Sequence, residues 1–171
     1  PSCRVEGIMP IMQKKAALVS LGAGKSQLPL ILSARGMGWA TIAVDRDADA
    51  VGFQYADVAI KESTHDTKRV VAVLQEVRDE YQIEGVVART TAAEALHTAA
   101  AVSREFNLSG LTDDLVQIST EKSSLREFCS IHGLPMPMGI KVNPNHNIPE
   151  ITDFPLVVKP DRTFTGKRNV K

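Results

Sequence analysis

Short apolar runs alternate with amphipathic patterns through the first two thirds of the chain. In the stretches between the runs, apolar residues recur at helical spacing, as in Val70, Leu74 and Val77. Runs that are apolar throughout are typical of strands buried on both faces of a parallel sheet. We therefore predict an α/β fold, a Rossmann-like open parallel sheet, over about residues 14–110. The four predicted strands are residues 16–21, 41–44, 57–60 and 85–88.

Helix boundaries follow from the same pattern. The first predicted helix contains Leu28 and Ile31 and is stopped by glycines at 36 and 38. Thr64 or Asp66 is expected to cap the second. The third is an alanine-rich helix over residues 91–106.

The pattern changes after Gly110, so a domain boundary is expected near residues 110–120. The second of two shorter helices is predicted to end at Gly133, with Pro135 just beyond it. The helices are predicted at residues 113–119 and 121–131, and strands at residues 138–142 and 156–159.

Composition narrows the possible partners and the location. The 171 residues include 20 basic and 20 acidic side chains, so nothing in the net charge favours nucleic acid or a membrane surface as partner. No apolar run approaches the roughly 20 residues of a membrane span. Cys3 and Cys129 are far apart, which fits free thiols in a reducing cytoplasm. Residues 1–13 are interpreted as a leader or a cloning remnant.

A glycine turn follows the first predicted strand. Gly22 and Gly24 precede a helix, and Asp45 ends the next strand 23 positions after Gly22. This spacing suggests dinucleotide binding, with a pyrophosphate at the helix N-terminus and the carboxylate on a ribose. The third glycine of that fingerprint is replaced by Gln27, which counts against it. A tight turn that serves only the fold, or one that helps to bind a small substrate, is the favoured interpretation.

Polar side chains at the ends of strands are candidates for a ligand site. In an open parallel sheet, ligands bind beyond the carboxyl ends of the strands, where Asp45, Arg89 and Thr90 are expected. Arg89 suits a carboxylate or phosphate held by two parallel hydrogen bonds, but pairing with Glu94 or Asp45 is an equal alternative. Thr90 or Thr91 is expected to cap the third helix.

A lysine closes the last predicted strand, in Pro155-Leu156-Val157-Val158-Lys159-Pro160. A basic loop with one glycine follows, containing Thr165, Gly166, Lys167 and Arg168. A point charge beside adaptable donors is what a triphosphate requires, so these residues are candidate triphosphate ligands. No serine–histidine–aspartate order, HExxH motif or cysteine cluster is present, so neither catalytic residues nor metal ligands are assigned.

Taken together, these segments resemble the ATP-grasp superfamily, which includes biotin carboxylase, carbamoyl-phosphate synthetase and the purine-pathway carboxylate–amine ligases. Two features are fairly specific as a pair: a helix that opens with Glu121-Lys122 and ends in Gly-Leu-Pro-Met-Pro, and Pro-Leu-Val-Val-Lys-Pro at 155–160. The weaker matches are Gly22-Ala23-Gly24, residues 34–38, 43–45, 56–57, 85–87 and 94–111.

The resemblance implies a preATP-grasp domain at residues 14–115. Residues 116–171 would begin a partial α+β nucleotide-binding subdomain. Lys122 and Lys159 would contact ATP phosphates, and the loop over residues 162–170, poorer in glycine than is usual in the family, would close over them. The substrate side would use Gly22, Ala23, Gly24, Asp45, Arg89 and Thr90.

The implied reaction activates a small carboxylate with ATP as an acylphosphate, which an amine or another nucleophile then attacks. Mg²⁺ would assist, with its ligands and the adenine pocket lying beyond Lys171. We therefore expect residues 1–171 alone to be inactive as a ligase. Two alternatives remain open: an NAD(P)-binding domain of an oxidoreductase or sensor, and a dimerisation module. A homodimer is compatible with the first interpretation as well.

Overall fold

A computed structural model describes residues 14–90, 92–143, 145, 150 and 154–162. The leader interpretation of residues 1–13, the capping role of Thr91 and the triphosphate ligands at 165–168 lie outside the described residues. The elements are, in order, β1 (Lys15–Leu21), α1 (Leu28–Gly36), β2 (Ala40–Asp45), a 3-10 helix (Val51–Gln54), β3 (Val58–Lys61), α2 (Thr67–Glu76), β4 (Tyr81–Val87), α3 (Ala93–Glu105), α4 (Asp113–Thr120) and α5 (Lys122–Ile131).

The four strands form one parallel sheet in the order β3-β2-β1-β4, which confirms the predicted α/β open sheet. β1 is central, and its Val19 pairs with Ile42 of β2 and Val86 of β4. β4 begins four residues earlier than predicted. As an edge strand it alternates half-buried Tyr81 and buried Ile83 with exposed polar side chains at 82 and 84. This alternation hides the first half of β4 from a search for continuous apolar runs.

The larger core lies between one face of the sheet and two helices. Alternate residues of β1 and β2 point to this face and meet the apolar stripes of α2 and α3, as the sequence predicts. The buried contributors include Val19, Leu21, Ile42, Val44, Val70, Leu74, Ala99 and Val102. On the opposite face, Ala43 packs with Ile31 of α1 and with Ala23 and Ala50 in a smaller cluster.

Local side-chain chemistry fixes several helix ends. Asp66 caps α2, because its Oδ1 accepts the Arg69 N–H at 3.1 Å; of the two predicted candidates, Asp66 is correct. Thr112 caps α4 in the same manner. α5 is followed by Gly133 at φ +64, as expected for a glycine that ends a helix.

The strands predicted at 138–142 and 156–159 are wrong. Both segments are described and exposed, and neither has a ladder partner among the described residues. The contact nearest to a strand is an isolated antiparallel bridge between Glu121 and Arg162. Their β-branched residues favour extended backbone, but a strand also requires a neighbour to pair with. In residues 116–162, the described part of the predicted α+β subdomain therefore has helices only. None of the described helices is long and apolar enough to cross a membrane.

Candidate functional site

The glycine turn connects the ends of β1 and β2. The Gly22 N–H donates to the Val44 carbonyl at 2.8 Å, and Gly22 has φ +106, a conformation that favours glycine. A Cβ at this position would lie 3.0 Å from Cδ of Gln27. The Gln27 side chain therefore covers the turn that the sequence analysis assigned to a ligand.

Asp45 lies at the carboxyl end of β2, as predicted, and its carboxylate binds the backbone. Oδ2 accepts the Ala23 N–H at 2.8 Å and Oδ1 accepts the Asp47 N–H at 3.0 Å. The structure thus brings Ala23 and Asp45 together. Each oxygen already holds one backbone donor, which makes Asp45 an organiser of the turn.

The 3-10 helix packs directly on the same turn through Gly52. The Gly52 N–H donates to the Ala23 carbonyl at 2.7 Å, and a Cβ on Gly52 would lie 2.6 Å from that oxygen and 2.7 Å from Cδ1 of Ile31. The sequence analysis missed Gly52. Its only signal is a glycine inside the short apolar stretch that separates β2 from β3.

An open pocket of about 440 Å³ lies beyond the carboxyl ends of β1 and β4, lined by Ser26, Gln27, Arg89 and Thr90. Gln27 Nε2 donates to the Arg89 carbonyl at 2.7 Å, and Arg89 Nη1 donates to the Ser26 carbonyl. These bonds join the loop after β1 to the loop after β4. Arg89 and Thr90 were predicted at this edge, whereas Ser26 and Gln27 were missed as lining residues.

Within the described structure, Arg89 pairs with neither of the two predicted carboxylates. Asp45 is engaged by backbone N–H groups, and Glu94 Oε2 is buried without a hydrogen-bond partner among the described residues. The Arg89 guanidinium therefore retains donors for an anionic ligand in the pocket. Thr90 Oγ1 accepts the Ala92 N–H at 3.1 Å, a bond within the loop before α3. The N-cap residue of α3 is Ala92, and α3 has no side-chain capping bond, so the prediction that Thr90 caps this helix is wrong.

A second polar cluster surrounds the first turn of α5. The Ser123 N–H and hydroxyl donate to the two carboxylate oxygens of Asp161, each at 2.7 Å. Lys141 Nζ lies 2.7 Å from Asp161 Oδ2. The Asp161 carbonyl accepts both the N–H of Lys122, at 3.1 Å, and its Nζ, at 3.2 Å. The segment at 154–162 is thereby held against the start of α5.

Lys159, the second predicted phosphate lysine, is exposed two residues before Asp161. It therefore belongs to the segment that Asp161 attaches beside Lys122. On the other side of Asp161, Arg162 forms an ion pair with Glu121. The described structure thus brings together two segments that the sequence analysis connected through their lysines.

Hydrogen bonds shift the acidities in this second cluster. Partial burial alone would raise the pKa of Asp161, but donation from Lys141 and Ser123 outweighs it and lowers the pKa from 3.8 to about 2. Hydrogen bonds from Ser124 and Arg162 lower the pKa of Glu121. The bond to Asp161 raises the pKa of Lys141. All three groups stay charged at neutral pH.

The Asp161 contact is expected to be lost in acid. Because the folded pKa lies below the unfolded value, the carboxylate stabilises the folded chain fully above about pH 5, and the contribution falls between about pH 4 and pH 2. We expect this contribution to the free energy of unfolding to be about 1 kcal/mol, because solvent screens a partly exposed ion pair. An NMR titration should give Asp161 a midpoint near 2, which Lys141→Met raises. An Asp161 midpoint near 3.8 that Lys141→Met leaves unchanged would contradict this prediction.

The described residues do not form a binding site for Mg²⁺. Among the residues described, no three His, Cys, Asp or Glu side chains are grouped so as to hold a metal ion. Asp161 and Glu121, at the start of α5, are each engaged by cationic or hydroxyl donors. These residues therefore do not fit the metal that the ATP-grasp resemblance implies.

Solved structures of other proteins share this fold. No protein-family model and no curated protein matches the sequence. Solved structures do match, and they are ATP-grasp ligases, so the resemblance drawn from the sequence is confirmed at the level of the fold.

An L-amino acid ligase from Bacillus licheniformis matches with a TM-score of 0.71 and 20% identity, over 88% of this chain and 38% of that one. Glycinamide-RNase-transformylase T from Mycobacterium tuberculosis matches with a TM-score of 0.56 and 23% identity, over 70% of this chain and 36% of that one. N5-carboxyaminoimidazole synthetase from Staphylococcus aureus, solved with ADP, matches with a TM-score of 0.53 and 16% identity, over 73% of this chain and 31% of that one. The chain spans about a third of the length of these structures. Because the sequence identities are this low, the similarity establishes a shared fold alone.

Proposed function

We propose that the chain forms part of an ATP-dependent carboxylate–amine ligase. In this proposal the sheet domain, residues 14–115, supplies part of the carboxylate site, and residues 116–171 supply contacts to the ATP phosphates. The fold shared with ATP-grasp ligases supports this assignment, as does the ADP bound in two of the matching structures. The assignment gives this chain a part of the active site and leaves it inactive alone.

One observation carries the proposal: the segment containing Lys159 lies against the first turn of α5, which begins with Lys122. The two lysines are far apart in the sequence, and neither amine forms an ion pair among the described residues. Among the described residues, Lys122 Nζ makes a single side-chain hydrogen bond, to the uncharged carbonyl of Asp161. Both ammonium groups are therefore available to bind a polyphosphate.

The substrate carboxylate is assigned to the pocket beyond β1 and β4. Arg89 offers guanidinium donors there, and the pocket adjoins the turn formed by Gly22, Ala23 and Gly24 and held by Asp45. Thr90 lines the same pocket. A planar guanidinium can bind a carboxylate, as it can a phosphate, through two parallel hydrogen bonds. This position at the carboxyl edge of a parallel sheet is typical of ligand sites.

The proposed reaction has two steps. A carboxylate oxygen attacks the γ-phosphorus of ATP, the bond to the β-phosphate oxygen breaks, and an acylphosphate and ADP result. An amine then attacks the acyl carbon and inorganic phosphate leaves. Lys122, Lys159, Lys167 and Arg168 are assigned the task of offsetting charge on the transferred phosphoryl group.

The lysine assignment predicts a loss of ATP binding when either amine is removed. Lys122→Met and Lys159→Met are each expected to weaken ATP binding at least about 10-fold, since each removes one charge-assisted contact to phosphate. Titrating ATP with the 171-residue chain, followed by ³¹P NMR, measures this. Lys68→Met, at an exposed position on α2, is the control. Equal affinities for all three variants would reject the assignment.

Two contacts argue against the NAD(P) alternative. The Gln27 side chain covers Gly22, where a pyrophosphate would approach the turn, and both Asp45 oxygens already accept backbone N–H groups. A ribose would have to compete with the bonds that hold the turn. Tight NADH binding, measured by fluorescence, would nevertheless reinstate this alternative.

A homodimer and a cytoplasmic location remain predictions from the sequence. The dimerisation module is compatible with the ligase proposal, because a subunit interface and a partial active site can share one domain. Light scattering of the purified chain distinguishes monomer from dimer.

A further inference from the structure

We propose that Asp161 is a positioning residue, which fixes the Lys122 end of α5 against the segment that carries Lys159 so that both amines face one polyphosphate. This inference rests on the proposed function. Asp161 would touch neither ATP nor the carboxylate substrate, and would act through the two lysines.

The Asp161 carboxylate joins three parts of the chain. Its Oδ1 accepts the Ser123 N–H, one of the N–H groups at the start of α5 that has no partner within the helix. Its Oδ2 accepts the Ser123 hydroxyl and pairs with Lys141 Nζ. Lys141 Nζ also donates to Ser123 Oγ at 3.0 Å, which closes a triangle of polar contacts.

Asp161 takes the place of a capping residue from α5 itself. Glu121, the N-cap residue, makes no side-chain capping bond, because its carboxylate accepts from Ser124 and Arg162. A carboxylate at a helix N-terminus is favoured by the helix dipole as well as by the hydrogen bond. The cap therefore comes from a segment 38 residues away, so forming the cap also docks that segment.

The backbone of Asp161 sets the position of Lys122. Its carbonyl accepts the Lys122 N–H and the Lys122 Nζ, so the side chain folds back towards the docked segment. Because Lys159 is two residues earlier in that segment, fixing Asp161 restricts how far the two lysines can separate. Apart from the Glu121–Arg162 pair, the hydrogen bonds between the start of α5 and this segment, among the described residues, all involve Asp161.

The test compares Asp161→Ala, which removes every side-chain contact, with Asp161→Asn, which keeps one acceptor for Ser123 but loses the charge. Asp79→Ala, at an exposed position in the turn after α2, is the matched control. Each variant of the 171-residue chain is titrated with ATP. Amide exchange at Ser123 reports docking, ³¹P shifts report affinity, and NMR signals of ¹³C-methylated lysines report each amine separately.

We expect Asp161→Ala to speed Ser123 exchange at least about 10-fold and to weaken ATP binding at least about 5-fold. The Lys122 and Lys159 signals should share one midpoint in the unmodified chain and separate in this variant. Asp161→Asn should give exchange rates and ATP affinities between those of Asp161→Ala and the unmodified chain. Asp79→Ala should match the unmodified chain in both. A purely structural cap would change exchange alone.

Two outcomes overturn the inference while leaving the proposed function intact: unchanged Ser123 exchange in Asp161→Ala, or faster exchange with unaltered ATP affinity and a shared midpoint. An unmodified chain that does not bind ATP overturns the proposed function itself. The assignment of Asp161 to phosphate positioning would then fall with it, even if exchange revealed docking.

Discussion

Gly52→Ala is expected to lower the free energy of unfolding by about 3 kcal/mol, the upper part of the range for overpacking a filled interior. The added methyl would lie 2.6 Å from the Ala23 carbonyl oxygen and 2.7 Å from Ile31 Cδ1, and the first of these is backbone. Relieving the clash moves the 3-10 helix off the turn and breaks the 2.7 Å bond from the Gly52 N–H. Urea unfolding followed by circular dichroism measures the loss.

Gly36→Ala is the matched control for that substitution. Gly36 ends α1, and a Cβ there would meet nothing within 4 Å. Alanine in a helix is expected to be neutral or to stabilise by up to about 1 kcal/mol, since it restricts the unfolded chain more than glycine does. If both substitutions shifted the urea midpoint alike, the close packing at Gly52 would not be the cause.

Asp45→Ala is expected to cost about 2 kcal/mol of folding free energy. The Ala23 N–H, on a fully buried residue, would lose a charged acceptor at 2.8 Å, and an unsatisfied buried donor costs about 1–3 kcal/mol. Thermal and urea unfolding both report this loss. ATP affinity should change little, because the carboxylate holds the turn rather than the nucleotide.

Asp47→Ala separates the two roles of Asp45. Asp47 accepts the N–H two residues ahead of it, at Asp49, as Asp45 does at Asp47, but Asp47 makes no bond to the glycine turn. We expect it to cost less than about 0.5 kcal/mol at this exposed position. Equal losses in the two variants would show that the Ala23 bond contributes nothing measurable.

The sheet could be predicted from the sequence because each buried strand is a continuous run of apolar residues. Continuous apolar runs identify the central strands β1 and β2, and the Asp66 cap follows from one side chain and its neighbours. The strands predicted at 138–142 and 156–159 were wrong because pairing depends on a partner strand, which composition does not encode. β-branched residues mark extended backbone in both cases.

The site was predictable in outline and not in its contacts. Asp45, Arg89 and Thr90 were predicted at the carboxyl edge from topology alone, and the structure has them there. The Gln27 contact with Arg89 and the approach of Gly52 to Ala23 join residues distant in sequence, so local spacing carries no signal for them. Asp161 was missed for the same reason.

The position of β1 in the sheet bears on how the protein is made. β1 pairs with β2 on one side and with β4 on the other, so the earliest of the four described strands to be synthesised becomes an inner strand of the sheet. One edge of this apolar strand stays open until the fourth strand has been synthesised. During that interval the nascent polypeptide exposes an unpaired edge, with which a strand of another chain can pair.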